Sequence, residues 1–583
     1  MTMKKWMQKT LIAAVFLAVG FGNVRTSLAA TYYVSIAGDN ANTGAQNSPW
    51  RTIQYAASRA VAGDTVRVAN GTYDERVTLP TSGTPENFIN FIGNATGTGV
   101  VMYGFSLPSR NNIRIIGFEM RHVNTAYRAA VFMSGVCSNI QLLDNYIHDT
   151  SGEGIQTSTS ATTSYITIRG NTMFYISHPG SLAQSDTAIA NSPITPHHWL
   201  VEYNHIRRTM DFVVIYGSNL IIRNNWLHEF AYSYYSGAGH SDIFQPGSDG
   251  QNVGSKHHVY ERNFTGDSPT DNSHFGLWQD TVDAGDTNML IRGNIGYNLG
   301  NAGIGVIGTD KVSTYNNTFH DMLNESDGNV WNWYRTPTVG GLLANSISSD
   351  YGISRDAINI DLGQQVKAVH NLGYLSGSEP SYVSTGNPLF VDPGRLNFRL
   401  QAGSPAINAG TNIAWVTSGA GSGTTFNIND GQLFIDGWGI VEGDLITVGS
   451  TPTRITRIVD NTVTVANSVT WNNGTPVYWG DGANKDIGAF PFGSRELTSA
   501  TLTQNGTTYT VAPTGDARGV WFYVDGIPTI WDFTPPFSAT IPSGVVTARA
   551  YALYAQENPV VVASAGPGGG TAPAPPTGLR VEE

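Results

Sequence analysis

Short runs of alternating apolar and polar residues recur along this chain, and each closes on Asn or Gly with another apolar residue two places later. They read NIRIIGF (Gly117), IQLLDNYI (Asn145), ITIRGNTM (Asn171), WLVEYNHI (Asn204), LIIRNNWL (Asn225), HVYERNFT (Asn263), MLIRGNIG (Asn294), VSTYNNTF (Asn317), LLANSI (Asn345) and KAVHNLGY (Asn371). Successive members lie 21 to 38 residues apart. The pattern predicts strand, sharp turn, strand, repeated with insertions of varying length. A stacked Asn suits such a turn, because it tolerates the left-handed conformation and can hydrogen-bond its neighbours.

A second series lies between these turns: GEGIQTS (152–158), DTAIANS (186–192), DFVVIYGS (211–218), SDIFQPGS (241–248), FGLWQDT (275–281) and AGIGVIG (302–308). Three strands per 21 to 28 residues is the length of one coil of a right-handed parallel β-helix. A leucine-rich-repeat horseshoe is excluded by the missing LxxLxL pattern and helical faces. A β-propeller needs longer blades with evenly placed turns.

Composition supports this reading. Only 13% of the 583 residues are charged, while there are 66 Gly and 11% aromatics. That balance excludes general disorder and long helical or coiled-coil architectures. The formal net charge of −12 argues against nucleic acid as the partner. Residues 1–30 read as a secretory signal peptide: Lys4, Lys5 and Lys9, an apolar run from Leu11 to Phe21, then Ser27, Ala29 and Ala30. Its removal takes away those lysines and Arg25 and no acid, so the net charge moves from −12 to −16. No later segment reads as a membrane span, so a secreted or cell-surface protein, expected to be monomeric, follows. The single Cys137 leaves stability to packing and hydrogen bonds.

The segment 31–77 carries a strand, a Gly/Asn loop and an amphipathic helix near Ile53 to Ala62, suited to capping a β-helix end. It resembles the N-terminal segment of secreted β-helix proteins of the pectate-lyase-like superfamily. NPLFVDPGRLNFRLQAGSPAINAGTN and the later DIGAFPFG (486–493) resemble closing coils of the same superfamily. The resemblance implies an all-β parallel β-helix over 31–412, closing at 486–496, and it marks fold rather than reaction. Residues 413–485 read as an inserted small β-barrel or hairpin module. Residues 497–563 resemble an immunoglobulin-like sandwich without its cysteines. Residues 564–583 form a Pro/Gly-rich flexible tail.

Candidate chemistry concentrates in residues 200–300. Aligning Phe244 with Trp278 places His240 over His274 and Gln245 over Gln279, with Asp211 and Tyr216 from the preceding coil. Elimination across a uronic acid needs a base and a positive charge on the carboxylate. Hydrolysis needs paired carboxyl groups. Asp242, His240, His274, Lys256 and Arg262 are the catalytic candidates, with Arg223 and Glu153 as further charge partners. Asp211, Tyr216, Tyr234, Tyr235, Gln245, Trp278, Gln279, Trp331 and Trp333 are the substrate-binding candidates, with Tyr234, Tyr235, Trp331 and Trp333 on inserted loops. Asp280, Asp283 and Asp286 form a candidate Ca²⁺ loop that lacks the EF-hand spacing. Each also has a structural reading: polar ladders are common in solenoids, and acidic turns are usually solvated. The expected partner is an extracellular polysaccharide and the expected reaction a lyase-type cleavage of an acidic one. The alternatives are a glycoside hydrolase or uronan epimerase, or a non-catalytic glycan-binding surface protein.

Overall fold

In the computed structural model the repeated runs wind into a parallel β-helix of three long sheets. The structure describes residues 29–565 except for 95–98, 123–126, 177–186, 192–195, 210, 230–240, 247–255, 269–272, 280–286, 300–302, 308–309, 323–330, 335–340, 350–357, 361–365, 375–382, 482–484 and 555–558. Each coil passes through three faces in turn. Face 1 has 13 strands, from Thr31–Val34 to Val366–Val369; face 2 has 13, from Gly71–Thr72 to Val383–Thr385; face 3 has 11, from Arg76–Thr78 to Ile358–Ile360. Inward residues such as Ile140, Ile166, Trp199, Leu220 and Met289 form one continuous core. The N-terminal helix is shorter than the sequence suggests, Ile53–Ala57. It is capped by Thr52, whose side chain accepts from the Tyr55 N–H.

The turn from face 1 to face 2 is a two-residue device. Its first residue is left-handed: φ is +67° at Gly170, +52° at Asn224, +49° at Arg262 and +64° at Gly293. Its second residue is the ladder asparagine. Asn263 is representative and fully buried. Its Oδ1 accepts from the Asn225 main-chain N–H at 3.1 Å and from Asn225 Nδ2 at 3.0 Å, while its own Nδ2 donates to the Ile222 carbonyl at 3.0 Å. The ladder runs through Asn145, Asn171, Asn204, Asn225, Asn263, Asn294 and Asn317. Two positions differ from the sequence reading. Gly117 is the left-handed residue, and Phe118 follows in the ladder position. Asn345 likewise takes φ +51°, and Ser346 serves the ladder, its Oγ accepting from Asn317 at 3.2 Å. Asn263→Ala leaves buried donors and acceptors unpaired, and urea unfolding is expected to show a loss of about 2–3 kcal/mol.

His258 lies wholly inside face 1. Its Nε2 is 2.9 Å from the Gly217 carbonyl oxygen and its Nδ1 is 3.1 Å from the Tyr260 hydroxyl. That pairing assigns a neutral ring, with Nε2–H donating to the carbonyl. Burial pushes the imidazole from 6.5 down to about 4. The unfolded chain therefore takes up a proton first as the pH falls. Stability from this group is complete above pH 6.5 and declines to pH 4, by about 3 kcal/mol at 1.36 kcal/mol per pH unit. Denaturation curves at pH 7.5 and 4.5 should show this slope, and His258→Phe should flatten it.

Outside the coils, residues 414–479 contribute a six-stranded antiparallel sheet. Its apolar side packs on outward residues of face 1, among them Leu200, Ile221, Val259 and Leu290. Face 1 is thus buried on both sides, which is why its strands read as unbroken apolar runs such as LII and MLI. The segment resembling closing coils does not add a coil. Phe390–Asp392 and Asn397–Leu400 pair as a hairpin, and with Ile487 and Phe490 they cover Trp226, Phe264 and Tyr297 on the outer side of face 2. Seven strands between Ser499 and Ala565 form a C-terminal sheet with its own core, antiparallel except where Ser499–Asn505 meets Val560–Ala565. It docks on the helix through Tyr203, whose hydroxyl donates to the Ala552 carbonyl at 3.1 Å, and through Arg549 paired with Asp144. No helix among the described residues is long and apolar enough to cross a membrane.

Candidate functional site

The polar residues of the central coils meet at the start of the face 3 strands. Thr187 lies opposite Asp211, and Asp242 lies opposite His274. Val213 pairs with Phe244, which carries Asp211 opposite Asp242. The Asp242 main-chain N–H donates to Asp211 Oδ1 at 3.0 Å. Ile155 pairs with Ile189, which brings Glu153 into the same row. The result is a column of Glu153, Thr187, Asp211, Asp242 and His274, one per coil. Adjacent members are about 5 Å apart.

This register differs by two residues from the one read from the sequence. Phe244 stands opposite Gly276, not Trp278, so His274 faces Asp242 rather than His240. Gln245 pairs with Val214, not Tyr216, and Gln279 pairs with Ile307. A slip of two preserves the in-and-out alternation, so patterning alone does not distinguish the two registers. The register is fixed instead at the corner, where Phe212, Ile243 and Phe275 all enter the core.

Asp242 is 0% exposed, held in a strand whose next two residues, Ile243 and Phe244, are both core. It therefore does not line an open groove. Asp211 is half-buried and is the column's carboxylate that reaches the surface. Tyr216 is fixed through its backbone: its N–H donates to Asn191 Oδ1 at 2.7 Å and its carbonyl accepts from Asn191 Nδ2 at 3.1 Å.

Lys256 and Arg262 are not part of this column. Lys256 is exposed at the start of a face 1 strand, opposite Ser218 and Thr287. Arg262 is the left-handed residue of the turn between faces 1 and 2, the corner of the coil opposite face 3. Its guanidinium bonds Glu261 at 2.6 Å and lies 4.4 Å over the Trp479 ring. Trp331 and Trp333 are not on an insertion: Trp331–Tyr334 is a face 3 strand paired with Ile304–Ile307. Trp278 likewise occupies a face 3 strand, opposite Val306. His240, Tyr234, Tyr235, Asp280, Asp283 and Asp286 lie outside the described residues.

Three further arrangements escaped the sequence reading. On the N-terminal part of face 2, Tyr73, Tyr103, Arg121, His122 and Asp149 line a groove of about 350 Å³. The Tyr103 hydroxyl donates to Asp74 at 3.3 Å, and the negative charge of Asp74 raises the phenol's pKa. Further along this face, ligand atoms of His228, Glu229 and Asp267 lie within 4.8 Å of one another. The Arg208 guanidinium already bonds Glu229 at 2.7 Å and fills the place of a cation, so no metal is assigned there. Hydrogen bonding to His228, with Arg208 adding to it, holds Glu229 down to about 2.

The third arrangement is a charge ladder along face 1. Arg169, Glu202, Arg223, Glu261 and Arg292 stand opposite one another in successive coils. Arg169 and Arg223 clasp Glu202, with Nε contacts of 2.6 and 2.7 Å. Arg292 bonds Glu261 at 2.6 Å and, bidentately, Asp444 of the inserted sheet at 2.6 and 2.7 Å. Arg518 of the C-terminal sheet pairs with Glu442 of the inserted sheet. Burial alone would raise Glu202, but Arg169 and Arg223 hold it down to about 2. Its stabilising share is therefore complete above pH 4.5 and lost toward pH 2, below the window set by His258.

In comparison with known proteins, residues 36–107 match the model of a family described as a protein of unknown function, DUF1565. An uncharacterized protein YwoF of Bacillus subtilis (strain 168) is 28% identical over 167 residues, 25% of this chain and 36% of that protein. The match thus spans about a third of that relative's length. Among solved structures, the GH136 lacto-N-biosidase from Eubacterium ramulus is 14% identical with a TM-score of 0.40, over 61% of this chain and 67% of that one. Pectate lyase Pel9A is 15% identical with a TM-score of 0.37, over 66% and 92%. The PL6 family alginate lyase AlyGC is 13% identical with a TM-score of 0.39, over 62% and 54%.

Proposed function

We propose that this chain is a secreted or cell-surface enzyme that cleaves an acidic polysaccharide by elimination at the face 3 column. The observation that carries this reading is the row Asp211, Asp242, His274, with the surface carboxylate Asp211 fixed by the Asp242 N–H at 3.0 Å. Asp211 is the catalytic base or its immediate partner, His274 stands two coils away in the same row, and Asp242 is a positioning residue. Elimination also needs positive charge on the substrate carboxylate. Among the described residues the column offers carboxylates and no Lys or Arg. Hard oxygen donors of this kind suit Ca²⁺, and Asp211, the carboxylate of the column that reaches the surface, is the side chain that would hold it. Bound Ca²⁺ would supply the charge that neutralises a uronate, which the net charge of −12 otherwise repels.

A second reading is hydrolysis, to which Asp211, the carboxylate of the row that reaches the surface, would contribute one of the two carboxyls a glycosidase needs. One assay separates the readings. The protein is incubated with pectate, alginate and neutral glycans, with Ca²⁺ or with chelator. Elimination gives unsaturated products with new ultraviolet absorbance on a uronan, dependent on Ca²⁺. Hydrolysis gives reducing ends without that absorbance. Glycan binding with neither product overturns the enzymatic reading.

A further inference from the structure

The groove of about 350 Å³ on the first coils of face 2 shares no residue with the face 3 column. We propose that it binds a neutral pyranose unit of a glycan, with the sugar ring stacked on Tyr103 and its hydroxyls held by Arg121, Asp74 and Asp149. The site is separate from the column and does not depend on the reaction proposed there.

The strand register builds the groove. Met102 lies opposite Met120, and both enter the core. The next residues, Tyr103 and Arg121, therefore face outward on adjacent coils, about 5 Å apart. Asp149 comes from the coil after Arg121, and Asp74 is tied to the Tyr103 hydroxyl at 3.3 Å. Tyr103 is half-buried, while Asp74 and Arg121 are exposed. The Tyr103 ring is a fixed platform. It lies 5.9 Å from the Tyr127 ring, tilted at 35°. Tyr127 is held in turn by the Arg76 guanidinium 4.9 Å over it and by the edge of His122 at 5.7 Å. Arg76 is anchored on the Ala129 carbonyl at 2.7 Å and on Ser106 Oγ at 3.0 Å. An aromatic ring ordered before the ligand arrives loses little freedom on binding, and its face suits the apolar C–H face of a pyranose.

The polar groups beside that ring are accessible and suit hydroxyls. The Arg121 side chain is 53% exposed, and its only ion pair among the described residues is a loose one to Glu119 at 3.9 Å, so N–H donors remain for a ligand. Asp149 is 37% exposed beyond its 2.6 Å bond to His148, which leaves acceptor positions open. Donor and acceptor on neighbouring coils match the alternating donor and acceptor character of adjacent sugar hydroxyls. The charges decide which sugar. Asp149 is engaged by His148, which leaves Asp74 and Arg121 as one charge of each sign on the lining. Neither an anionic nor a cationic sugar is favoured there, since each meets a like charge. The volume lies within the usual range of small-molecule sites.

The test is saturation-transfer difference NMR on the full chain with the methyl glycosides of glucose, galactose, mannose and xylose, against galacturonate, glucosamine and glycerol. The expected result is saturable binding of at least one neutral glycoside, tighter than that of galacturonate or glucosamine. Tyr103→Ala should weaken it about tenfold, whereas Tyr103→Phe, which keeps the ring, should retain it. The thermal midpoint and the products made at face 3 should stay unchanged in both. Arg121→Gln, which removes only the loose contact to Glu119, serves in place of Tyr103→Ala if that variant unfolds, and it should weaken binding about tenfold. Absence of neutral-glycoside binding, equal binding of galacturonate or glucosamine, or binding undiminished in the folded variant would overturn the proposal.

Discussion

Arg292→Met is expected to lower the unfolding free energy by about 3–5 kcal/mol, because it strips two buried carboxylates of their shared counter-charge. Arg292 is fully buried and bonds Glu261 and Asp444 at once, with a further bond to the Tyr315 hydroxyl at 2.9 Å. Burial opposes its charge, but Asp444, Tyr315 and Glu261 together raise its pKa well above the usual arginine value. The guanidinium therefore joins two separate parts of the fold, face 1 and the inserted sheet. Guanidinium-chloride unfolding at pH 7 should show a lower midpoint with an unchanged slope. Adding Glu261→Gln and Asp444→Asn to the variant should recover part of the loss, because no charge is then left buried alone.

Asp211→Asn is expected to reduce polysaccharide cleavage by about 10²–10⁴-fold, the usual contribution of a positioned acid–base group. Asn keeps the shape and can still accept the Asp242 N–H through its carbonyl oxygen, so the thermal midpoint should hold. The kinetic signature matters here. A residue acting on the reacting atoms lowers kcat, whereas a residue that only shapes the strand alters stability and leaves kcat in place.

The solenoid was readable in the sequence because its turns are chemically demanding. A left-handed residue followed by a stacked amide must recur in every coil, and Asn145 to Asn317 record it. Asn345 shows where that reading fails: asparagine suits both places in the turn, and only Ser346 behind it reveals which place is taken. The position of face 3 was legible to the level of one strand and not to its register. The series containing Ile155, Ile189 and Phe244 marks face 3 correctly. The choice of Trp278 as the next member slips by two, since alternation is blind to an even shift and the core corner at Phe275 is set by three-dimensional packing.

The charge ladder of face 1 left a trace that composition obscures. Arg169, Glu202, Arg223, Glu261 and Arg292 each stand two residues before a ladder asparagine, with signs that alternate coil by coil. Taken singly they are ordinary charges at strand ends. Stacked in register they form a ladder that the inserted and C-terminal sheets complete with Asp444, Glu442 and Arg518. Nothing local links those partners, which lie more than 150 residues from the ladder residues they meet, apart from Arg518 with Glu442.

The most direct measurement is a crystal structure of Asp211→Asn bound to an oligosaccharide cut from a polymer the wild-type protein degrades. The expected result is a sugar chain lying along face 3, with its scissile linkage over residue 211 and its neighbours near Glu153 and His274. A chain bound only in the face 2 groove at Tyr103 and Arg121, with face 3 bare, would contradict it.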